Sequence, residues 1–177
     1  MDNLHRIKRT SETLRKAASL FLWLTPLLCA IYWAFFNEYP DLMKAQLGIL
    51  GQSELTVLNR ALCFVATMLP AGVAMYGFSL LRELFGLYAV GEIFSERNVS
   101  CYRKLGRTLL YWAGAVFVHT TLISLAVSVG MPKGQRHLTV AFGSIELVVV
   151  FAGAAAMVIS WVMDEARRIE EEQALTI

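Results

Sequence analysis

The chain has 177 residues, of which 56% are hydrophobic and 17% are charged, and its formal net charge is +2. Soluble globular proteins carry about 25% charged residues, so this composition argues against a soluble enzyme. The small net charge also gives no reason to expect a direct nucleic-acid partner. The hydrophobic residues fall into four long runs, which is the pattern that a lipid bilayer selects.

Each of these runs is about twenty residues long, the length of helix that crosses about 30 Å of hydrocarbon. In chain order they cover residues 17–36, 61–81, 108–129 and 139–163. Backbone polar groups inside hydrocarbon must be satisfied within their own segment, so each run is predicted to be a helix. The predicted fold is therefore all-α, an integral membrane four-helix bundle that forms a single membrane domain.

Lysines and arginines are distributed unevenly between the two sides of these spans. Twelve of the sixteen lie in the N-terminal tail 1–16, the middle connection 82–107 or the C-terminal tail 164–177. The other four lie in the two opposite loops: Lys44, Arg60, Lys133 and Arg136. The positive-inside rule therefore predicts that both tails and the middle connection are cytoplasmic.

The middle connection continues the helical pattern of the spans beside it. Gly91 is predicted to end the second helix, and Ser95 is predicted to cap the next one. Apolar residues then recur at helical spacing between basic ones, which predicts a helical hairpin at the membrane surface. An early start of the second helix is also predicted, with Ser53 as its N-cap. The N-terminal tail has a similar pattern and is predicted to form a surface helix on anionic lipid.

A resemblance is carried by this connection and by the end of the chain. Residues 81–99 read Leu-Arg-Glu-Leu-Phe-Gly-Leu-Tyr-Ala-Val-Gly-Glu-Ile-Phe-Ser-Glu-Arg-Asn-Val, and Leu-Gly follows at 105–106. With the Leu-Thr-Ile ending at 175–177, this pattern resembles a bacterial family of small four-helix membrane proteins, domain of unknown function 2975. The resemblance covers spans two to four and the tail. Cys101-Tyr102 departs from it, because a more polar or aliphatic pair is expected there.

The resemblance implies a multi-pass protein of the bacterial cytoplasmic (inner) membrane, and the family has no established activity to transfer. Members are often encoded beside a small helix-turn-helix regulator of the phage-repressor type. This implies a cytosolic partner of that kind. The lipid bilayer is the other expected partner.

Two ionisable residues, Glu146 and His119, lie inside the fourth and third spans at similar predicted depth. A carboxylate in hydrocarbon costs at least about 2.5 kcal/mol unless it is paired, protonated or hydrated. A Glu146–His119 pair facing the bundle interior, with Thr120 and Ser124 beside it, is consistent with a proton or ligand site. It is also consistent with a structural contact that fixes helix register, which needs only a weak interaction between the helices.

Small residues recur every four positions along the fourth span, at Ala152, Ala156 and Ser160. Such a ladder lets two helices approach closely in a membrane. The helix that it meets belongs either to the same chain or to a second copy, so a homo-oligomer stays open.

Charged residues on the predicted cytoplasmic side are the candidates for binding a partner. A basic set lies on the hairpin and an acidic set lies on the tail: Arg103, Lys104, Arg107, Glu170, Glu171 and Glu172. The acidic tail is able either to close on the basic hairpin or to dock a protein with a basic surface.

The sequence contains no recognisable catalytic motif, cofactor-binding motif or metal-ligand spacing, so we predict neither an enzyme nor a cofactor protein. The favoured hypothesis is a membrane-embedded regulator or anchor for a cytosolic partner. The alternative is a small ion- or proton-coupled transporter module that uses the intramembrane Glu146 and His119.

Overall fold

The computed structural model describes residues 2–40, 54–93, 95–128 and 143–174. These residues form four long helices and one short 3-10 helix, Phe36–Glu38. The long helices are α1 (Asp2–Ala34), α2 (Val57–Val90), α3 (Glu96–Ser128) and α4 (Ser144–Ala174). The described ranges contain no β-strand, so the predicted all-α class is confirmed.

All four long helices contain a stretch that is long and apolar enough to cross a membrane. Large apolar side chains project outward from them; Trp23 is 73% exposed and Phe151 is 75% exposed. A soluble monomer rarely exposes so much contiguous apolar surface, whereas lipid tails accommodate it. The helices therefore indicate a multi-pass membrane protein.

Two of the predicted helix starts are corrected by the structure. Thr56 is extended, with φ −62° and ψ 159°, and its hydroxyl accepts a hydrogen bond from the Asn59 N–H at 3.2 Å. It caps α2 one residue before Val57, so the helix does begin before the predicted span at 61, but with Thr56 as its cap in place of Ser53, which lies outside the described residues. The predicted N-terminal surface helix is instead the first half of α1, which continues without a break into the span.

The helices pack in chain order, with α1 on α2, α2 on α3 and α3 on α4. Among the described residues, α1 and α4 share no extended interface. A closed four-helix bundle would bring its first and last helices together. The described helices therefore form an open bundle, in which none of them packs extensively on the outward surfaces of α1 and α4.

A buried cluster lies where the end of α1, the start of α2 and the end of α3 meet. Its members are mostly bulky apolar side chains together with small residues: Trp33, Phe36, Leu55, Cys63, Ala66, Ile123, Ala126 and Val127. The Asn37 side chain locks the adjoining backbone, since it exchanges two 3.1 Å hydrogen bonds with the N–H and carbonyl of Leu55. In lipid, such contacts stabilise helix pairs through packing and hydrogen bonding.

A close crossing of two glycines joins α3 to α4. A Cβ on Gly106 would lie 2.9 Å from the Gly153 carbonyl oxygen, and a Cβ on Gly153 would lie 3.0 Å from the Gly106 carbonyl oxygen. The predicted small-residue ladder is therefore only partly correct. Ser160 is buried, but Ala152 is exposed because Gly153 occupies the seam. Because glycine has no side chain, the two helix backbones can approach this closely.

Candidate functional site

The hairpin between α2 and α3 is built on a tight helix end. Gly91 has a φ of +95°, a left-handed conformation that glycine adopts without a Cβ clash. The Gly91 N–H donates to the Tyr88 carbonyl and the Glu92 N–H donates to the Leu87 carbonyl. This pair of bonds is the Schellman arrangement, which satisfies the last carbonyls of α2. The predicted helix end at Gly91 is confirmed.

The start of α3 is held by Ser95 and Asn98. The Ser95 hydroxyl accepts from the Asn98 N–H at 3.3 Å, so the predicted Ser95 cap is confirmed. Asn98 is fully buried, and its side-chain amide donates to the carbonyls of Glu92 and Ile93 at 2.7 and 2.8 Å. These carbonyls lie in the turn, where no helical N–H reaches them. Asn98 therefore fastens the turn to the first turn of α3.

A tyrosine pair closes the hairpin above this turn. The Tyr88 and Tyr102 hydroxyls lie 2.8 Å apart and form a hydrogen bond between α2 and α3. The neighbouring Cys101 is only 1% exposed. At the two positions where the sequence departs from the family pattern, Cys101 is therefore a buried side chain and Tyr102 forms a hydrogen bond between helices.

The first half of α1 lies against the outer side of α2 near the hairpin. The Arg15 guanidinium packs over Gly86, with its Nε 3.8 Å from the position that a Cβ would occupy. The Lys8 ammonium lies 3.4 Å from the corresponding position on Gly91. A cation beside the last turn of α2 interacts favourably with the negative end of the helix dipole. Three helices therefore contribute to one layer next to the spans.

Ion pairs within this layer are partly exposed. Arg97 lies 3.4 Å from Glu83 across the hairpin, and Arg103 lies 3.7 Å from Asp164 on α4. Arg167 contacts the same carboxylate at 3.5 Å. Asp164 thus links the basic side of α3 to the end of α4, whereas closure of the tail through Glu170, Glu171 and Glu172 stays a prediction. Exposed pairs of this kind contribute at most about 1 kcal/mol each.

The other predicted partner-binding residues have different surroundings. Lys104 and Arg107 are exposed on α3, and no described side chain forms an ion pair with either of them. Glu172 is also exposed. The side chains of Glu170 and Glu171 lie outside the described part of the structure. Arg103 is thus a candidate that this chain itself engages, through the ion pair with Asp164 on α4.

Inside the span, His119 belongs to a polar network that connects three helices. The Trp33 indole N–H donates to the Thr67 Oγ1 at 2.9 Å, and His119 Nε2 lies 3.2 Å from the same oxygen. The Thr67 hydroxyl also donates to the Cys63 carbonyl at 2.8 Å. A hydroxyl has one proton and two lone pairs, so all three contacts are satisfied when His119 carries its proton on Nε2.

Glu146 lies in the first turn of α4, two residues after its start. Its Oε2 is buried and has no hydrogen-bond partner among the described residues. The carboxylate folds back over Gly143, because a Cβ on that glycine would stand 2.6 Å from Oε2. An acidic residue in the first turn is favoured by the positive end of the helix dipole. The helix dipole therefore stabilises the Glu146 carboxylate at this position, and no pairing with His119 is needed.

The predicted Glu146–His119 pair is not formed, since neither residue contacts the other in the described structure. The reason is the register that the Gly106 crossing imposes. Gly106 packs between Gly153 and Met157. At 1.5 Å per residue, His119 then lies about 20 Å from the crossing along α3, whereas Glu146 lies about 14 Å from it along α4. The two side chains are therefore at different depths.

The other two residues of the predicted intramembrane cluster, Thr120 and Ser124, lie on α3 near His119. The Thr120 hydroxyl donates to the Val116 carbonyl at 3.0 Å, one turn back along α3. Ser124 is partly buried one turn further on. Across the described residues, no group of three or more His, Cys, Asp or Glu side chains is arranged to hold a metal ion.

A comparison with protein families identifies the chain. Residues 17–177 match the family described as Protein of unknown function (DUF2975). The chain belongs to the DUF2975 family. The match begins at the first span, so it extends beyond the segments that carried the resemblance in the sequence. No curated protein and no solved structure matches this DUF2975 chain.

The residues that carry the resemblance mostly face inward in this DUF2975 structure. Leu84, Asn98 and Val99 are each less than 5% exposed, and Gly106 is buried at the crossing with α4. Gly91 makes the tight helix end. The residues of the family pattern in the hairpin therefore stabilise its fold. The exposed side chains of the hairpin belong to other positions, between the residues of the pattern.

Sequence reasoning missed Trp33 and Thr67 as partners of His119, and it missed Asn98 as the residue that fastens the hairpin. Thr67 carries a hydroxyl inside the second predicted span, so the sequence contained a hydrogen-bonding group for a polar residue on another span. Asn98 gave a weaker signal. A polar side chain three residues after a capping serine is more often solvated than buried.

Proposed function

We propose that this DUF2975 protein is a non-enzymatic membrane anchor or regulator that binds a cytosolic protein partner. The binding region is the layer of helix ends outside the predicted spans, called the cytoplasmic layer below. It comprises the hairpin at 82–107 and the end of α4 after residue 163. The proposal includes the bacterial inner membrane as location, with both chain ends on the cytoplasmic side.

The observation that carries the proposal is how firmly the hairpin is built. Its turn is fixed by the Gly91 helix end, by Asn98 and by the Tyr88–Tyr102 bond. A plain connection between two spans needs none of these contacts. A surface that is already ordered loses less conformational entropy on binding, so its contacts yield more affinity.

Charge on the cytoplasmic layer favours α3 as the contact surface. Lys104 and Arg107 are three residues apart, so they lie on the same side of α3, and both are exposed. Arg103 is engaged by Asp164, which leaves Lys104 and Arg107 as the cations directed toward a partner. We expect that partner to present acidic side chains. A soluble helix-turn-helix regulator is the partner class that the family resemblance implies.

The test is crosslinking in living cells, followed by capture of the full chain from native membranes and identification of bound proteins by mass spectrometry. Wild type is compared with the double variant Lys104→Glu/Arg107→Glu and with a variant that lacks residues 165–177. The matched control is Arg6→Glu/Arg9→Glu, which changes the net charge equally on exposed residues of α1. It reports any effect of charge on membrane orientation.

A soluble DNA-binding protein that is captured by wild type and by the control, but not by the α3 double variant, supports the proposal. Capture of only further copies of this chain or other membrane proteins contradicts it. Loss of the partner in the control as well would assign the effect to altered orientation and remove α3 as the contact surface.

The alternative, an ion- or proton-coupled module, depended on a contact between Glu146 and His119. In the structure His119 bonds to Thr67 and Glu146 lies at the end of α4. Separate structural roles, His119 in the bond to Thr67 and Glu146 at the start of α4, account for the two residues. Glu146→Gln discriminates, because a coupled module would lose proton-linked flux in reconstituted vesicles, whereas a structural carboxylate would change only thermal stability.

A further inference from the structure

A groove of about 450 Å³ lies between α1 and α2 at the end opposite the hairpin. Its lining combines three alanines, two aromatic rings and one cation: Ala30, Ala34, Ala61, Trp33, Phe64 and Arg60. The alanines are exposed, so the groove opens to the outside of the helix pair, where lipid surrounds a membrane protein. Small side chains on both helices are the reason that the surface is indented there.

Arg60 lies at the mouth of this groove. It is in the first turn of α2, and its Nη1 donates to the carbonyl of Ala34, the last residue of α1, at 2.6 Å. This bond uses one of the five N–H donors of the guanidinium. Nε is buried and has no hydrogen-bond partner, and no carboxylate in the described residues pairs with Arg60.

The position of this cation is unusual for the chain. Arg60 is one of four cations on the side of the spans where lysine and arginine are scarce. It also stands at the N-terminal end of α2, where the helix dipole is positive and repels a cation. A partly buried charge without a counterion is costly, so an anion that docked beside it would be bound favourably. The end of a span is also the level of lipid phosphates.

We propose that the groove between α1 and α2 binds one anionic phospholipid, with its phosphate on Arg60 and an acyl chain against the alanines. The guanidinium supplies several parallel N–H donors, which match the oxygens of a phosphate. The apolar lining below it accepts methylene groups and rejects a hydrated ion. The site is at the opposite end from the cytoplasmic layer, so it is independent of the proposed partner binding.

Native mass spectrometry of the purified full chain in detergent tests this assignment, with phosphatidylglycerol and phosphatidylcholine added in equal amounts. Wild type is expected to retain one phosphatidylglycerol in preference to phosphatidylcholine. Arg60→Gln is expected to lower the phosphatidylglycerol affinity about tenfold, the usual worth of a charge-assisted hydrogen bond. The matched control is Arg82→Gln, an exposed arginine at the other end of α2, and it is expected to keep the wild-type affinity.

A second variant tests the groove without touching the cation. Ala61→Leu fills the indentation and is expected to lower the affinity for both lipids, while Arg60 stays in place. The proposal is overturned if Arg60→Gln keeps the preference for phosphatidylglycerol. It is overturned equally if inorganic phosphate alone displaces the lipid, which would make this a free-anion site, or if Arg60→Gln separates a dimer, which would make the groove a contact between two copies.

Discussion

Replacing Asn98 by alanine is expected to loosen the hairpin between α2 and α3. The amide of Asn98 donates two hydrogen bonds, at 2.7 and 2.8 Å, to carbonyls of the turn. Each such bond contributes about 1 kcal/mol net, so the substitution removes about 2 kcal/mol from the free energy of opening the hairpin. A change of that size raises the open population about thirtyfold.

The thiol of Cys101 reports this opening directly. It is 1% exposed and lies one turn beyond Asn98 on α3, so a maleimide reacts with it only when the hairpin opens. Peptide mass spectrometry of labelled membranes separates its labelling from that of Cys29 and Cys63. The expected result is labelling about thirty times faster in Asn98→Ala than in wild type. The matched control is Ser100→Ala, because no described hydrogen bond involves the Ser100 side chain.

Asn98→Asp tests whether the Asn98 side chain acts as the hydrogen-bond donor to the turn carbonyls. A carboxylate in the same place would point oxygen atoms at the two turn carbonyls, so its labelling should be faster than that of Asn98→Ala. The reasoning is refuted if Asn98→Ala changes the rate by less than about threefold, which corresponds to under about 0.7 kcal/mol. It is also refuted if the aspartate variant labels more slowly than the alanine variant.

Three further substitutions probe the helix contacts, each followed by thermal unfolding in detergent. Gly106→Ala places a methyl group against a backbone carbonyl of α4 and should destabilise the fold by about 1–3 kcal/mol; an unchanged midpoint would mean that the crossing is looser than described. Thr67→Val removes the shared partner of Trp33 and His119 and should cost about 1 kcal/mol, whereas Thr67→Ser keeps the hydroxyl and should keep the stability; a loss in Thr67→Ser without one in Thr67→Val would point to packing of the methyl group instead. Arg103→Gln breaks an ion pair that is 41% exposed on the arginine side and should change stability by less than about 1 kcal/mol; a larger loss would show that the pair is part of a stronger network.

Hydropathy predicted the helices well because the cost of placing unpaired backbone groups in hydrocarbon leaves a segment little choice. Helix ends were predictable where a special residue is required, as at Gly91 and Ser95. The Ser53 prediction was wrong because Thr56, three residues later, is also a good cap, and Asn37 bonds to the backbone of Leu55 immediately before it. Local sequence alone does not rank two such caps.

The candidate site was harder to predict, because helix rotation and register are set by packing between helices. Depth counted from span boundaries placed Glu146 and His119 together. The glycine contact between α3 and α4 sets a different register, and Thr67 takes the place beside His119. The predicted small-residue ladder is only partly correct for the same reason, since Ala152 lies one residue away from the seam at Gly153, whereas Ser160 is buried.

The unbroken length of α2 has a mechanical consequence. Val57–Val90 is a single rod of about 50 Å at 1.5 Å per residue, and its first turns lie beside the buried cluster shared by three helices. If that cluster acts as a pivot, a tilt of about 5° displaces the hairpin tip by about 4 Å. Helices tilt to match the thickness of the surrounding bilayer. Membrane thickness would thus be converted into a displacement at the far end of the rod, with Asn98 and the tyrosine pair keeping the moving tip in one piece.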